Sequence, residues 1–236
     1  MYGLRPRPAR LARCAPPPPH PPQEFPNLAV KTQVGDFSIH DYIKDSWAII
    51  FSHPKDYTPV CTTELGEAAL QEAEFTKRGV KIIALSCDSV EDHKGWVKDI
   101  EAARGATVGY PIISDPTRET ATLLGMLDEE ERDAPGIPAT VRKVFVIGPD
   151  RKVKLQLVYP TAVGRNFDEI LRVIDALQLA AKFPIATPVN WRKGGDVMIQ
   201  PSVSDADAEA KFPGFKRTAV PSGKGYIRFT PDPSAK

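Results

Sequence analysis

The chain has 236 residues, a net charge of +1 and 42% apolar content, a balance that gives no electrostatic reason to bind nucleic acid or anionic lipid. No run approaches the roughly 20 apolar residues of a membrane-spanning helix. Cys14, Cys61 and Cys87 form no CxxC pair, and His20, His40, His53 and His93 never fall at ligand spacing, so neither a disulfide framework nor a structural metal is expected.

Residues 1–23, "MYGLRPRPARLARCAPPPPHPPQ", hold four arginines, no acid and a proline run, a composition that suits a disordered tail. Arg-rich, acid-free beginnings also mark organellar transit segments, although this one lacks serine and its prolines spoil an amphipathic helix. The sparse cysteines fit a reducing compartment, so the expected location is cytoplasmic, with a mitochondrial or other organellar site as the alternative.

From residue 24 the pattern becomes globular. "WAIIF" (47–51), "VKIIALSC" (80–87) and "KVFVIG" (143–148) read as buried strands. Between the first two, Leu65, Ala68, Ala69 and Phe75 share one helical face, and Gly79 supplies a stop. A second helix runs from the Ser89 cap to Gly105, a hairpin turns around 148–151, and a last helix covers about 167–181. Alternating strands and helices with one late hairpin predict an α/β fold, a mixed central sheet flanked by helices in a three-layer sandwich. Residues 24–183 are thus one domain. Residues 184–236 are dense in proline and glycine, with a turn at "PSGKG" before the alternating "YIRFT". They are expected to build no core of their own and to pack on the main domain or on a second subunit.

"TPVC" reads as a helix start: Thr58 is a favoured N-cap type, Pro59 suits the first position, and Cys61 then lies in the first turn. Free N–H groups and the helix dipole there favour the anionic sulfur. Ionisation alone is not enough. An ordinary thiol is about 3% ionised at pH 7, so complete ionisation gains about thirtyfold, or about 2 kcal/mol, and a nearby cation must supply the rest.

At this point the sequence resembles a known family. Pro54, Thr58 and Cys61 in "PKDYTPVC" match the PxxxTxxC signature of the peroxiredoxins, which have a thioredoxin-like fold. The likeness continues through "SHPKDYTPVCTTELG", "DSVEDH", "LLGMLD", "YPTAVGRNFDEILRVIDALQL" and "ATPVNW", and is greatest to the 1-Cys subfamily with its long C-terminal extension. It implies a thiol-dependent peroxidase without metal, haem or flavin. Cys61 would attack hydrogen peroxide or an organic hydroperoxide and become a sulfenic acid. Thr58 would orient the peroxide, Pro54 would shield the sulfur, and Arg142 would be the required cation. Glu64 and Arg165 match supporting positions, and His53 one beside the pocket. With no resolving cysteine after Cys87, an external thiol must close the cycle, glutathione with a transferase or a thioredoxin-type protein. A homodimer with 184–236 as the exchanged arm is also implied, in a role of antioxidant defence and redox homeostasis.

Plainer readings stand beside these. Cys87 ends an apolar strand and reads as a buried structural thiol. Thr58 as a mere cap is compatible with catalysis. Cys61 oxidation could instead serve a redox sensor or chaperone-like oligomer. Relatives with a GxSxG phospholipase site suggest a second triad at Ser46, His40 and Asp150, but here "KDSWA" puts Lys44 and Ala48 where the elbow needs glycines.

Overall fold

The computed structural model describes residues 17–132, 136 and 138–235. Most of the Arg/Pro-rich segment, residues 1–16, lies outside them. Residues 17–23, expected to belong to a disordered tail, contact the main domain. Pro19 is buried and its carbonyl accepts from Gln156 Nε2 (2.7 Å). Val153 donates its backbone N–H to Gln23 O (2.8 Å), and Phe25 enters the core.

The main domain then runs β1 (Ala29–Thr32), β2 (Phe37–Ser38), α1 (Ile39–Ile43), β3 (Trp47–Ser52), α2 (Pro59–Leu70), α3 (Glu72–Lys77), β4 (Val80–Ser86) and α4 (Val90–Arg104). It continues with β5 (Ile112–Ser114), α5 (Glu119–Leu123), β6 (Leu127–Arg132), β7 (Pro138–Thr140), β8 (Arg142–Ile147), β9 (Val153–Tyr159) and α6 (Phe167–Lys182). Seven strands form one sheet in the order β2-β1-β5-β4-β3-β8-β9. β3 lies parallel to β4 and β4 to β5, whereas β8 is antiparallel to β3 and β9. The expected mixed sheet is therefore present, with β3, β4 and β8 at its buried centre.

Alternation along β3 divides the core. Ile49 and Phe51 face one side, where Leu65, Phe75, Trp96, Ile100, Ile170 and Ile174 cover the sheet from α2, α3, α4 and α6. Ala48 and Ile50 face the other, against Phe25, Ile39, Ile43, Leu124 and Met126. A strand apolar on both faces needs such cover on each side, which is why "WAIIF" is continuous rather than alternating. The single helix expected between the Thr58 cap and the Gly79 stop is two, parted at Gln71. α4 begins as the sequence predicts, with a reciprocal Ser89–Asp92 capping box, and ends at Gly105, whose φ of 66° is one that glycine adopts without strain.

Residues 184–236 pack on the main domain, as expected, but with more regular structure than their composition suggests. β10 (Ile185–Ala186), β11 (Val197–Ile199), α7 (Asp205–Lys211), β12 (Lys216–Arg217) and β13 (Arg228–Thr230) include a four-stranded sheet ordered β10-β11-β13-β12. Ile185, Trp191, Val197, Ile199, Val203, Ala208 and Phe212 close a small core with Leu179 of α6. The proline and glycine density reflects short strands and many turns rather than a lack of core, and α6 supplies the apolar side that the short strands cannot make alone.

Candidate active site

β3 ends at Ser52, and the chain crosses a short loop, 53–58, before α2 begins. Thr58 occupies the N-cap in extended conformation (φ −117°, ψ 147°), Pro59 opens the helix, and Cys61 follows in its first turn, fully buried. The expected side-chain cap is not made: Thr58 Oγ1 donates instead to Lys55 O (2.9 Å), which ties the loop to itself. Its carbonyl closes the first turn, accepting from Thr62 N (3.0 Å).

Arg142, the first residue of β8, reaches across the sheet end. Its Nη1 lies 3.3 Å from Cys61 Sγ and donates to Glu64 Oε2 (2.7 Å), while Nε donates to Thr161 O (2.8 Å). Glu64 sits one helical turn beyond Cys61, on the same face of α2. Arg165 grips its other side: Nε and the backbone N donate to Oε1 (2.9 and 2.8 Å) and Nη2 to Oε2 (2.6 Å). Arg165 Nη1 also donates to Ser52 O (2.8 Å), and its guanidinium stacks 4.6 Å above the Phe51 ring. Burial draws this guanidinium below its ordinary value, opposed by Glu64. The cluster is thus a buried carboxylate between two buried guanidiniums. One unit of positive charge stays unbalanced beside the sulfur, and a buried unbalanced charge demands an anionic partner.

A second network went unread in the sequence. Asp56, buried in the same loop, accepts from His53 Nε2 at Oδ1 (2.7 Å) and from His93 Nδ1 at Oδ2 (2.6 Å), and its N–H donates to Asp88 Oδ2 (2.9 Å). Burial acts to raise the Asp56 carboxyl, but the two histidine hydrogen bonds outweigh it and hold the group far below the usual carboxylate range. Burial pushes His53 below its ordinary value despite Asp56. His53 Nδ1 is buried with no hydrogen-bond partner. His93 arrives from α4, far away in sequence, so no local spacing announces it. His53, Asp56 and Asp88 bring ligand-type atoms within 4.8 Å of one another. Both Asp56 oxygens already hold ring nitrogens, however, so the arrangement is a hydrogen-bonded tie rather than an open cage for a cation.

Pro54 is half-buried and lines a cavity of about 80 Å³ with Lys55, Cys87, Asp88, Arg118 and Ala139. Cys87, expected to be a buried thiol, is half-buried just beyond the end of β4. The residues of the second triad are not joined by any hydrogen bond. The His40 ring lies 2.7 Å from the Phe25 carbonyl, Asp150 pairs with Lys154 Nζ (2.6 Å), and Ser46 donates its backbone N–H to Ile43 O. Lys44 does adopt a positive φ of 46°, the kind of backbone for which an elbow would use glycine. Among the described residues, no helix is long and apolar enough to cross a membrane.

The chain is similar to known proteins over most of its length. Residues 21–156 match the AhpC/TSA family and residues 176–214 the C-terminal domain of 1-Cys peroxiredoxin. The chain is 54% identical to Peroxiredoxin-6 of Rattus norvegicus over 215 residues, covering 89% of this chain and 96% of the relative. Peroxiredoxin-6 of Homo sapiens is 54% identical over 213 residues, covering 88% and 95%. Among solved structures, Peroxiredoxin 6 of Arenicola marina superposes with a TM-score of 0.87 at 51% identity, covering 89% and 96% of the two chains. The yeast mitochondrial 1-Cys peroxiredoxin, studied for thiol resolution through glutathione and thioredoxin systems, superposes with a TM-score of 0.82 at 45% identity, covering 89% and 97%. Such coverage spans both the sheet domain and the extension, and the chain belongs to the 1-Cys peroxiredoxins of the AhpC/TSA family, thiol-dependent peroxidases of thioredoxin-like fold.

Proposed function

We propose that Cys61 is the peroxide-reducing sulfur of this peroxidase, acting on hydrogen peroxide and organic hydroperoxides. The observation that carries the reading is the Arg142 guanidinium 3.3 Å from Cys61 Sγ, with Glu64 and Arg165 holding it there. The thiolate attacks the terminal peroxide oxygen, the S–O bond forms as the O–O bond breaks, and the departing hydroxide or alkoxide takes a proton to leave as water or alcohol. Cys61 is oxidised by two electrons to the sulfenic acid, and the peroxide is reduced by the same two. Arg142 stabilises charge on both the sulfur and the breaking oxygen. Thr58, with its hydroxyl hydrogen bonded to the loop, orients the peroxide, and Pro54, in the loop that leads into α2, shields the sulfur from water. Glu64 and Arg165 are positioning residues, since they act through Arg142.

An external thiol then condenses with the sulfenic acid, releasing water and forming a mixed disulfide, which a second thiol reduces. By analogy with the yeast relative's glutathione and thioredoxin systems, the reductant is a glutathione- or thioredoxin-type thiol. The assembly is a homodimer to which residues 184–236 contribute, a reading supported by the exposed Val189 and Tyr226 of that segment. Stopped-flow oxidation by peroxide tests the assignment: Cys61→Ser abolishes the fast phase, and an unchanged rate rejects it. Peroxide consumption with each thiol in turn identifies the reductant.

A further inference from the structure

The loop that joins β3 to α2 holds one residue in a conformation that its side chain disfavours. Tyr57 has a φ of 56°, in the left-handed region, and it directly precedes Thr58, the N-cap of α2. A bulky residue stays there only where its surroundings impose it. Tyr57 is 55% exposed, so burial is not what fixes it. On one side stands Asp56, which His53, His93 and Asp88 hold in place. On the other, Pro59 fixes the entry into the helix.

The side chain of Tyr57 leaves this loop for α4. Its hydroxyl donates to Asp92 O (3.4 Å), a long bond that alone would hold little. What fits it to the helix is Gly95, three residues on. A Cβ there would stand 2.3 Å from the Tyr57 hydroxyl oxygen but 3.7 Å from Cζ. The missing side chain of Gly95 is therefore a notch that the hydroxyl occupies, whereas the ring carbon would meet a methyl group in ordinary contact. Glycine weakens a helix interior, and this notch gives its place within Val90–Arg104 a reason. The next residue, Trp96, is buried against the same loop, its ring centroid 6.4 Å from that of Tyr57 and 5.1 Å from that of His53. Its Nε1 donates to Thr62 Oγ1 (3.2 Å). α4 thus grips the chain on both sides of Cys61, at Tyr57 and at Thr62.

We infer that Tyr57 is a positioning residue of the peroxide reaction: seated in the Gly95 notch, it holds the loop so that Thr58 stays in register with Cys61. This rests on the reading of Cys61 as the peroxide-reducing sulfur. The role is one of geometry rather than charge, since Arg142 favours the anionic sulfur and Tyr57 fixes where the peroxide meets it. A misplacement of about 1 Å costs up to about 10²-fold in rate, and one confined to this loop costs about tenfold.

The experiment measures stopped-flow oxidation of the reduced full-length protein by hydrogen peroxide across pH, with urea unfolding of each variant. In Gly95→Ala the new methyl group displaces the hydroxyl, which lies at the free end of a side chain, and the rate falls about tenfold. The pH midpoint of the rate stays at its wild-type value, and the urea midpoint does not fall, because alanine favours a helix over glycine. In a Tyr57→Phe background no hydroxyl stands in the notch, so the same Gly95→Ala substitution does not slow the reaction. A Gly95→Ala rate equal to that of wild type overturns the role of Tyr57, as does an equal fall in both backgrounds. A shifted pH midpoint also overturns it, because the loop would then act on ionisation of the sulfur. If peroxide leaves Cys61 of the wild type unoxidised, the reading of Cys61 falls first, a result seen before any substitution is made.

Discussion

Replacing Arg142 by glutamine removes the one charge that, among the described residues, lies in hydrogen-bond contact with the sulfur. At 3.3 Å, a unit charge pair at an effective dielectric of about 20 interacts by about 5 kcal/mol, an upper bound on what the guanidinium supplies. Loss of a single preorganised donor at a developing oxyanion costs about 10²–10³ in rate, or about 3–4 kcal/mol, which fits beneath that bound. The fold should suffer less. Glu64 keeps its bonds from Arg165, so the loss is chiefly the Glu64 and Thr161 contacts of Arg142, about 2–3 kcal/mol of stability. Stopped-flow oxidation should therefore slow by about 10²–10³ in Arg142→Gln while urea unfolding stays cooperative. Arg142→Lys should recover only part of the rate, since a point-like ammonium cannot reach Thr161 O, Glu64 and the sulfur together. An Arg142→Gln enzyme that oxidises as fast as wild type would refute the reasoning.

Other variants separate positioning from chemistry. Glu64→Gln removes the carboxylate that lies between two buried guanidiniums and should cost about 3–5 kcal/mol in urea unfolding. The histidine network sets an acid limit. Burial lowers His53 in the folded state, so folding binds fewer protons than the unfolded chain once pH drops below about 6.5, and stability falls from there. Asp56, also lowered, contributes stability that is complete above the ordinary carboxylate range and is lost as pH falls through its folded value. His53→Gln should therefore flatten the first part of the acid limb and Asp56→Asn the lower part, read from urea midpoints across pH. Cys87→Ser should leave peroxide oxidation unchanged, and no intramolecular disulfide should appear on a non-reducing gel.

Much of this arrangement was legible in the sequence because its signals are local. Two-sided burial wrote β3, β4 and β8 as continuous apolar runs, and the Ser89 and Gly105 caps marked both ends of α4. Pro59 and Thr58 placed Cys61 in a first turn before any fold was known. Residues that meet only through the fold gave no such signal. Asp56 and His93 are 37 positions apart, and Thr161 offers Arg142 a backbone carbonyl that carries no sequence information. Arg142 itself reads as an ordinary strand arginine until the family pattern distinguishes it. The extension misled because its apolar residues lie in elements too short for a period to show, and because part of their cover comes from α6. Thr58 illustrates a finer limit: composition predicted the N-cap position, but not that the hydroxyl would turn to Lys55.

The central claim is that one particular sulfur receives the peroxide oxygen. Treating the reduced full-length protein with a single equivalent of hydrogen peroxide in the presence of dimedone, then mapping the adduct by mass spectrometry, tests it directly. The account predicts that the label falls on the peptide containing Cys61 and disappears in Cys61→Ser. Labelling confined to Cys14 or Cys87, or peroxide consumed with Cys61 unmodified, would contradict it.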